Sequence, residues 1–592
     1  MDKHETPWQP LTESERLAQA NAAALRVVTS QVHPTGVHAL QESQTQSVHE
    51  ASEVGDAPQR GTVRLVAIII SLALALFTAA LDTTIVATVL PTISSDLQSA
   101  AGYVWIGGAF LLGNAAASNI WANLSDIWGR KPILLAATAV FFVSSIICAK
   151  AVNMTMLIAG RAIQGTAAGG LMQMVTICVS DLFSVRRRSL FLGLLEIVWI
   201  LAAAVGPILG GSLTEALSWR WIFWINLPIS GVAFITLFLC LNLHDPKTPV
   251  SAGLKCIDWF GSITIVGLSL MLLLGLNFGG VVFAWSSSQV ICLLVFGFVL
   301  VPIFIYGEKR LAKIPLMPLS IFWPASNAAA FMVTFCHGAV VIGMEWYLPL
   351  YFQSTRLASP LQSGIWSLPL IVTESIMSFL VGFVIHKTGR YLEIIWIGCL
   401  LVLLGVGLCI SFATATSTAK IIGYQIVAGL GTGMLFFAPL LALQTGVLPD
   451  ETAAATATFG FIRNLATSAS IVIGGVLFQT GMGSQQGKLV ASGLPKNITD
   501  ALGGEDAAAN VLLVGHIEDL HQRRVVQDAF STSLQHVWCL YTALAAVGVV
   551  SCLFIKKNVM SKDHVETKTG LKEGRLKEKD ASTTPSDDIE LR

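Results

Sequence analysis

Charged residues are scarce in this sequence. Asp, Glu, Lys and Arg make up 12% of its 592 residues, whereas soluble domains carry about 25%. The 36 cationic and 36 anionic side chains balance, so there is no excess positive charge to attract nucleic acid. The composition therefore excludes an ordinary soluble domain and predicts no nucleic-acid partner.

Motifs for catalysis and metal binding are also lacking. None of the ten cysteines has the CxxC spacing of a metal or redox site, and we interpret them as small buried hydrophobic residues. The stretch GMGSQQGKL at 481–489 departs from an ATP-binding loop at Met482 and Leu489. We therefore predict no enzyme, cofactor or metal site, and expect a proton gradient to supply any energy that is needed.

Apolar runs are what the sequence has in abundance. Hydrophobic residues reach 54% and mean hydropathy is +0.69. The runs are about 20 residues long, enough for a helix to cross the hydrocarbon of a bilayer. We predict an all-α polytopic membrane protein with fourteen transmembrane helices. The predicted spans are 66–90, 103–122, 133–151, 154–178, 190–212, 221–241, 257–277, 289–307, 327–352, 363–385, 391–412, 420–446, 453–480 and 536–555.

Basic residues predict the orientation in the membrane. An even number of spans places both termini on one side, and the loops richest in Lys and Arg face the cytoplasm. No signal-peptide pattern is found in the first 60 residues, and we expect 1–62 and 556–592 to be disordered and cytoplasmic. The predicted inner loops carry Arg130, Lys131, Arg186, Arg187, Arg188, Lys247, Lys255, Lys309, Arg310, Lys313, Lys387 and Arg390.

An internal repeat divides the chain. SDIWGRKPIL after span 2 matches IHKTGRYLEI after span 10 at an offset of 260 residues, and RAIQGTAAGG in span 4 matches QIVAGLGTGM in span 12 at an offset of 264. We predict six-helix halves at 63–241 and 326–555, separated by a linker with two extra helices at 242–325. Two repeated halves around a midplane site are typical of alternating-access transporters.

The predicted outer loop 481–535 is the long one on that side of the membrane. It contains the triplet Asn497-Ile-Thr, which is an acceptor sequence for N-glycosylation. Such triplets are also common by chance, so both interpretations stay open.

Two opposite charges lie at matching depth inside the first half. Asp82 is about eight residues below the predicted outer end of span 1, or ~12 Å, and Arg161 is about seven residues below that of span 4. A charge inside the bilayer needs a partner or water. If both spans face one cavity, protonation of Asp82 would change the field at Arg161. A static structural pair is the alternative.

Two glycine-containing motifs are typical of moving parts. The loop between spans 2 and 3 places an acid, a glycine and two bases in a tight turn, and span 5 combines a helix-breaking proline with glycines that allow close packing. Small-residue packing is the plainer interpretation of span 5. The candidate gating residues are Asp126, Gly129, Arg130, Lys131, Gly206, Pro207, Gly210 and Gly211.

Other polar residues inside the spans are candidates for a substrate cavity, because polar groups in hydrocarbon are costly. These are Glu196 in span 5, His337 in span 9, Glu374 in span 10 and Gln425 in span 12. Glu345 lies close enough to the outer interface to be solvated.

Taken together, LDTTIVATVLPTI, NLSDIWGRKP, RAIQGTAAGG and AVGPILGG resemble the signatures of the major facilitator superfamily, in particular its fourteen-span drug:H⁺ antiporters. The resemblance covers roughly 62–555. It implies a central cavity lined by spans 1 and 4 and a role for Arg161 in proton coupling. It also implies that Arg463 or the start of span 13 neighbours Asp126 and locks one conformation. His386 stands where the second copy of the loop motif would have an acid.

We therefore expect a monomeric, proton-coupled antiporter of the plasma membrane that exports small organic molecules such as a secondary metabolite, toxin or drug. Its partners would be the substrate, protons and the lipid bilayer. A vacuolar antiporter that exchanges basic amino acids for protons is the nearest alternative, since Glu196 and Glu374 would suit a cationic substrate. A transport-dead membrane sensor is the remote one.

Overall fold

The computed structural model describes residues 62–87, 89–97, 102–243, 246–279, 283–312, 315–503, 507–508, 510–561 and 570. Apart from one isolated bridge between Gly279 and Phe283, these residues form helices joined by turns. Residues 1–61 and most of the predicted tail lie outside this set. The predicted all-α class is confirmed.

Long helices follow one another in the order that the apolar runs predict. They are α1 Thr62–Ala87, α2 Gly102–Trp128, α3 Arg130–Ala149, α4 Met154–Leu182, α5 Val185–Ala216, α6 Asn226–Cys240, α7 Trp259–Phe278, α8 Ser288–Arg310, α9 Ala325–Thr355, α10 Pro360–Thr388, α11 Leu392–Cys409, α12 Thr418–Leu435, α13 Thr452–Ala491 and α14 Leu520–Cys552. Short helices precede or continue some of them, at Leu90–Asp96, Trp221–Trp224, Val250–Cys256, Ala438–Thr445 and Lys496–Ala501.

Thirteen helical segments of the described chain are long and apolar enough to cross a membrane, judged by length and composition. The helix that falls short is α2, which carries Asn114, Asn119 and Asn123 among its 27 residues. The polytopic membrane architecture is thus confirmed, while the count of fourteen spans stays a prediction.

The predicted outer loop is shorter than the hydropathy pattern indicates. Helix α13 continues to Ala491 and α14 begins at Leu520, so both ends of the stretch 481–535 are helical. Hydropathy marks only the part of a helix that lies in lipid, and polar residues such as Gln485 and Arg523 can extend a helix into water. Asn497 is exposed in the short helix between them.

The repeat is visible in how the helices pack. In the first half, Gly165 and Gly169 of α4 abut the carbonyl oxygens of Phe110 and Asn114 in α2. The residues at the same offsets in the second half do the same, since Gly429 and Gly433 of α12 abut the carbonyl oxygens of Leu370 and Glu374 in α10. These are close backbone approaches that a side chain would obstruct.

The two halves meet along α5 and α10. A Cβ on Gly193 of α5 would lie 3.3 Å from the Cα of Phe379, and Gly382 of α10 abuts the carbonyl of Ser189. The pairing runs in opposite directions along the two helices, which are therefore antiparallel. The inserted pair α7 and α8 packs beside α2 and α13, through Leu273 and the partly buried Phe461 among others.

Candidate functional site

The structure brings Asp82 and Arg161 together in the first half. Arg161 Nη1 lies 2.5 Å from Asp82 Oδ2, with the two residues 2% and 0% exposed. The pair joins α1 to α4. A buried ion pair of this kind is held in place because each charge would be costly without the other.

Two amide side chains complete the surroundings of Asp82. Its Oδ1 accepts hydrogen bonds from Gln164 Nε2 at 2.9 Å and from Asn226 Nδ2 at 2.7 Å. Gln164 also accepts a bond from Arg161 Nη1 at 2.9 Å and donates to Ser145 Oγ at 3.0 Å. Asp82 is thus held by donors from α4 and α6, and its charge is balanced by one guanidinium.

The guanidinium of Arg161 has contacts besides the acid. Its Nε donates to the carbonyl of Ile106 at 3.2 Å, and its carbon lies 4.2 Å from the ring centre of Phe110 and 5.8 Å from that of Phe223. Cation–π contacts stabilise a charge that has left water. Arg161 therefore has stabilising partners that would remain if protonation of Asp82 weakened the ion pair.

A second polar cluster lies where the halves meet. Glu196 follows Gly193 by about one turn of α5, and Glu374 precedes Ser378 by about one turn of α10; Gly193 lies against Ser378 and its neighbour. Both glutamates are buried and both interact electrostatically with Arg463 of α13. Since two acids share one base, the cluster can bind a proton or a positive group without an excess of positive charge.

His337 and Arg463 complete this central cluster. Arg463 Nη2 donates to the carbonyl of Phe436 at 2.5 Å, and its guanidinium carbon lies 4.3 Å from the centre of that ring. His337 Nε2 is 2.9 Å from the carbonyl of Thr432. His337 Nδ1 and Arg463 Nε are buried without a hydrogen-bond partner among the described residues, so they are available to a substrate or to water.

The remaining cavity candidates are placed differently. Gln425 of α12 is fully buried, bonds weakly to the carbonyl of Ile421 at 3.3 Å, and has no described partner for its Oε1. Glu345 of α9 has an exposed side chain and acts electrostatically on Glu374, so it lies near the central cluster.

Of the two neighbours expected for Asp126, Arg463 and the start of α13, the first lies in another part of the bundle. Asp126 lies two residues before the end of α2 and binds Arg130 at 2.5 Å. Arg463 follows the start of α13 at Thr452 by eleven residues, or about 16 Å at the rise of a helix. The two residues therefore lie at different depths, and Arg463 belongs to the central cluster instead.

The junction between α2 and α3 is bonded to α4 within the first half. Arg130 is 1% exposed, and it bonds Asp181 of α4 at 2.6 Å and Ser125 at 2.6 Å in addition to Asp126. Gly129 adopts φ 92°, a backbone conformation that favours glycine. Lys131 lies over the ring of Phe238 at 5.2 Å.

Hydrogen bonds join the two halves at the predicted cytoplasmic end. Arg188 Nη1 donates to Gln444 Oε1 at 3.1 Å, and Gln444 Nε2 donates to Ser180 Oγ at 2.9 Å. Arg186 donates to the carbonyls of His386 and Lys387 at the end of α10. Because carbonyls at a helix C-terminus carry partial negative charge, they attract Arg186 although the acid is missing at 386.

Helix α5 passes through its proline without interruption. Pro207 and Gly210 lie inside Val185–Ala216. Gly206 abuts Thr84 of α1, whereas a Cβ on Gly211 would meet no atom within 4 Å. Close packing between α1 and α5 is thus visible at Gly206 and not at Gly211.

Several residues of the sites could not be found from single motifs. Gln164 shares a helix face with Arg161 at a spacing of three residues, which is a usable signal. Asn226, Asp181 and Gln444 reach their partners from distant parts of the chain, and no local pattern points to them.

A repeated helical bundle with a buried ion pair in one half and a polar cluster between the halves defines a polytopic membrane transporter. Comparison with known proteins agrees. The model of the Major Facilitator Superfamily matches residues 72–471, and the chain belongs to this family.

Its relatives include fungal efflux proteins. The chain is 44% identical to efflux pump dotC of Dothistroma septosporum, covering 86% of this chain and 87% of that protein. It is 42% identical to the MFS-type transporter ppz2 of Metarhizium majus, covering 88% and 90%. Among solved structures, the proton:xylose symporter XylE is similar with a TM-score of 0.52 and 14% identity over 86% of this chain and 98% of XylE, which shows the fold alone.

Proposed function

We propose that this protein is a proton-coupled antiporter that exports small organic molecules by alternating access. The observation that carries the proposal is the buried pair of Asp82 and Arg161, 2.5 Å apart. An acid with no exposed surface can exchange protons only when the bundle rearranges. Proton binding and conformational change are then linked.

In this cycle Asp82 is the proton acceptor. A proton taken from the outer side neutralises Asp82 and weakens its bonds to Arg161, while Phe110 and the Ile106 carbonyl continue to stabilise the guanidinium. The rearranged protein then releases the proton inside. Substrate binding favours the return, because antiport requires proton and substrate to favour opposite states or to compete.

The central cluster is the proposed substrate site. Glu196, Glu374, His337 and Arg463 come from both halves and present buried polar atoms at their meeting point. Transporters of this architecture bind their substrates near the midplane between the repeats. The small-molecule substrate would lie against these side chains.

We favour export across the plasma membrane over import into a vacuole. One relative in the comparison is itself named an efflux pump, which favours export over import of amino acids into a vacuole. Secondary metabolites, toxins and drugs are the proposed substrate class, and both termini are proposed to be cytoplasmic.

Transport by purified protein in proteoliposomes tests the proton coupling. Efflux of a fluorescent amphipathic dye driven by an imposed pH gradient would be compared with exchange of the dye at equal pH on both sides. Asp82→Asn keeps the size of the side chain and one oxygen that can accept from Gln164 and Asn226, but it cannot carry the proton. We expect it to lose gradient-driven transport and to retain exchange.

Asp96→Asn is the matched control. Asp96 is half exposed at the end of the short helix Leu90–Asp96, which follows α1, and it pairs with Arg220 at 3.3 Å. Its replacement should therefore leave gradient-driven transport unchanged. Full gradient-driven transport by Asp82→Asn would show that Asp82 does not couple protons.

A further inference from the structure

A second pair of buried carboxyl groups lies at the base of the inserted hairpin α7–α8, outside the sites described above. Asp258 immediately precedes α7 and Glu308 lies in the last turn of α8. They are 6% and 5% exposed. The transport cycle proposed above uses neither of them.

Each carboxyl group organises backbone at this end of the hairpin. Asp258 Oδ1 caps α7 by accepting from the Gly261 amide at 2.8 Å. Glu308 Oε1 accepts from the Leu316 amide and Oε2 from the Met317 amide, both at 3.2 Å. Glu308 therefore fastens the chain that leads from the hairpin into the second half.

The two carboxyl groups lie against each other. A Cβ on Gly261 would be 2.7 Å from Asp258 Cγ and 2.9 Å from Glu308 Oε1, and Glu308 interacts directly with Asp258. Asp258 Oδ2 is buried and receives no hydrogen bond from the described residues. Ionised carboxylates are acceptors only, so they can bond to each other only through a bound proton.

No cation neutralises the pair within the described structure. Lys255, Lys309 and Arg310 on the flanking turns are exposed. On the helices that pack against α7, Asp126 of α2 binds a neighbouring arginine, and Arg463 of α13 lies in the central cluster. The short helix Leu319–Phe322 beside α8 contains no charged residue.

A metal ion is a poorer occupant than a proton. Hard cations take six or more oxygen ligands, and the pair offers the two carboxyl groups, three of whose oxygens already accept backbone hydrogen bonds. The described residues contain no group of three or more His, Cys, Asp or Glu side chains suited to a metal.

We propose that Asp258 and Glu308 form a proton-binding site that keeps Leu316 and Met317 fastened to the inserted hairpin. While one proton is shared, the groups attract each other. When the proton is lost at alkaline pH, the two buried carboxylates repel each other. This repulsion pushes Glu308 away from the amides of Leu316 and Met317. Leu316 and Met317 are part of the hairpin's apolar core, with Ile265 among its members, so this core loosens as well.

Thermal unfolding of the purified full-length protein tests the proposal without any transport substrate, so it stands apart from the test of antiport. The midpoint temperature would be measured from acidic to alkaline pH for wild type and for Glu308→Gln. Glutamine is neutral at every pH and its amide can donate to Asp258. We expect wild type to lose stability as pH rises, and the variant to lose less than half as much.

Glu393→Gln is the matched control, because Glu393 is an exposed acid at the start of α11 that pairs with Lys557. It should show the same loss of stability as wild type on the alkaline side. Asp258→Asn is a second variant that removes the same repulsion, and it decides the matter if Glu308→Gln cannot be purified in folded form.

Infrared spectroscopy supplies an independent readout. A protonated carboxyl group has a carbonyl stretch that a carboxylate lacks, and the wild type should show this band and lose it at alkaline pH. Glu308→Gln should remove the part of that pH-dependent band that comes from this pair. Identical pH profiles and bands in wild type and Glu308→Gln would overturn the proposal. So would a rise in midpoint on adding Na⁺ or Mg²⁺ that depends on Glu308, which would make the site a cation site.

Discussion

Replacing Gly206 by alanine tests whether close packing between α1 and α5 outweighs the higher helix preference of alanine. Alanine is favoured over glycine inside a helix by about 1 kcal/mol. A Cβ on Gly206, however, would lie 2.9 Å from Thr84 Cβ and 3.1 Å from the backbone nitrogen of Ile85. Thr84 cannot turn aside freely, because its hydroxyl donates to the Ala202 carbonyl at 2.9 Å.

Overpacking of this kind costs about 1–3 kcal/mol, and contact with backbone puts the cost in the upper part of that range. We therefore expect Gly206→Ala to lower the free energy of unfolding by about 1–2 kcal/mol after the gain in helix preference. Gly211→Ala lies in the same helix and meets no atom within 4 Å, so it should be neutral or stabilising by up to about 1 kcal/mol.

The two variants would be compared by reversible unfolding in mixed detergent micelles, with dye transport measured in parallel. Equal stability of Gly206→Ala and Gly211→Ala would refute the inferred contact between α1 and α5. A loss of transport by Gly206→Ala at unchanged stability would also contradict the packing argument, since it would place the effect in gating rather than in the fold.

Two further predictions concern the charges. Arg161→Met leaves Asp82 buried without its base and should lower the free energy of unfolding by about 3–5 kcal/mol, whereas the double variant with Asp82→Asn should recover most of that loss; additive losses in the same unfolding assay would contradict the pairing. Arg188→Ala removes the hydrogen bond that Arg188 donates to Gln444 across the halves, worth about 1.5–3 kcal/mol. Thr456 of α13 is buried and accepts a hydrogen bond from Gln444 Nε2 at 3.0 Å. A cysteine placed at Thr456 should therefore react with maleimide from the cytoplasmic side about tenfold faster in Arg188→Ala than when Arg188 is present. Unchanged labelling would mean that this bond does not hold that end closed.

The helices were predictable because hydrocarbon imposes a length on them, and the depth of Asp82 and Arg161 followed from counting residues along two such helices. Counting residues does not predict which side chain of a third helix bonds to a buried charge. Asn226 reaches Asp82 across 144 residues of chain, and only packing decides that it does so. For the same reason the resemblance left open whether Arg463 or the start of α13 neighbours Asp126, and Arg463 lies about three turns inside that helix.

Helix ends were harder to predict than helix centres. The composition near 481 and 535 turns polar, which marks the edge of the lipid, yet α13 and α14 both continue beyond it. A backbone that already satisfies its own hydrogen bonds inside the membrane can continue to do so in water.

The two repeated halves share their helix packing but differ in their buried ion pairs. Equivalent residues of a twofold repeat can touch each other only near the axis that relates them, and Ser180 and Gln444, 264 residues apart, are bonded at 2.9 Å. The axis therefore passes between the inner end of α4 and the segment after α12.

The offset of 264 residues places Gln425 at the position equivalent to Arg161. The side chain of Gln425 bonds to a carbonyl of its own helix and to no acid among the described residues. At the offset of 260, Arg390 is exposed where Arg130 is buried among acids. Among the described residues, the second half thus keeps the packing glycines of the first and has no ion pair at the positions equivalent to Arg161 and Arg130. If Asp82 takes up a proton as proposed above, the change in charge at that pair falls on one half alone.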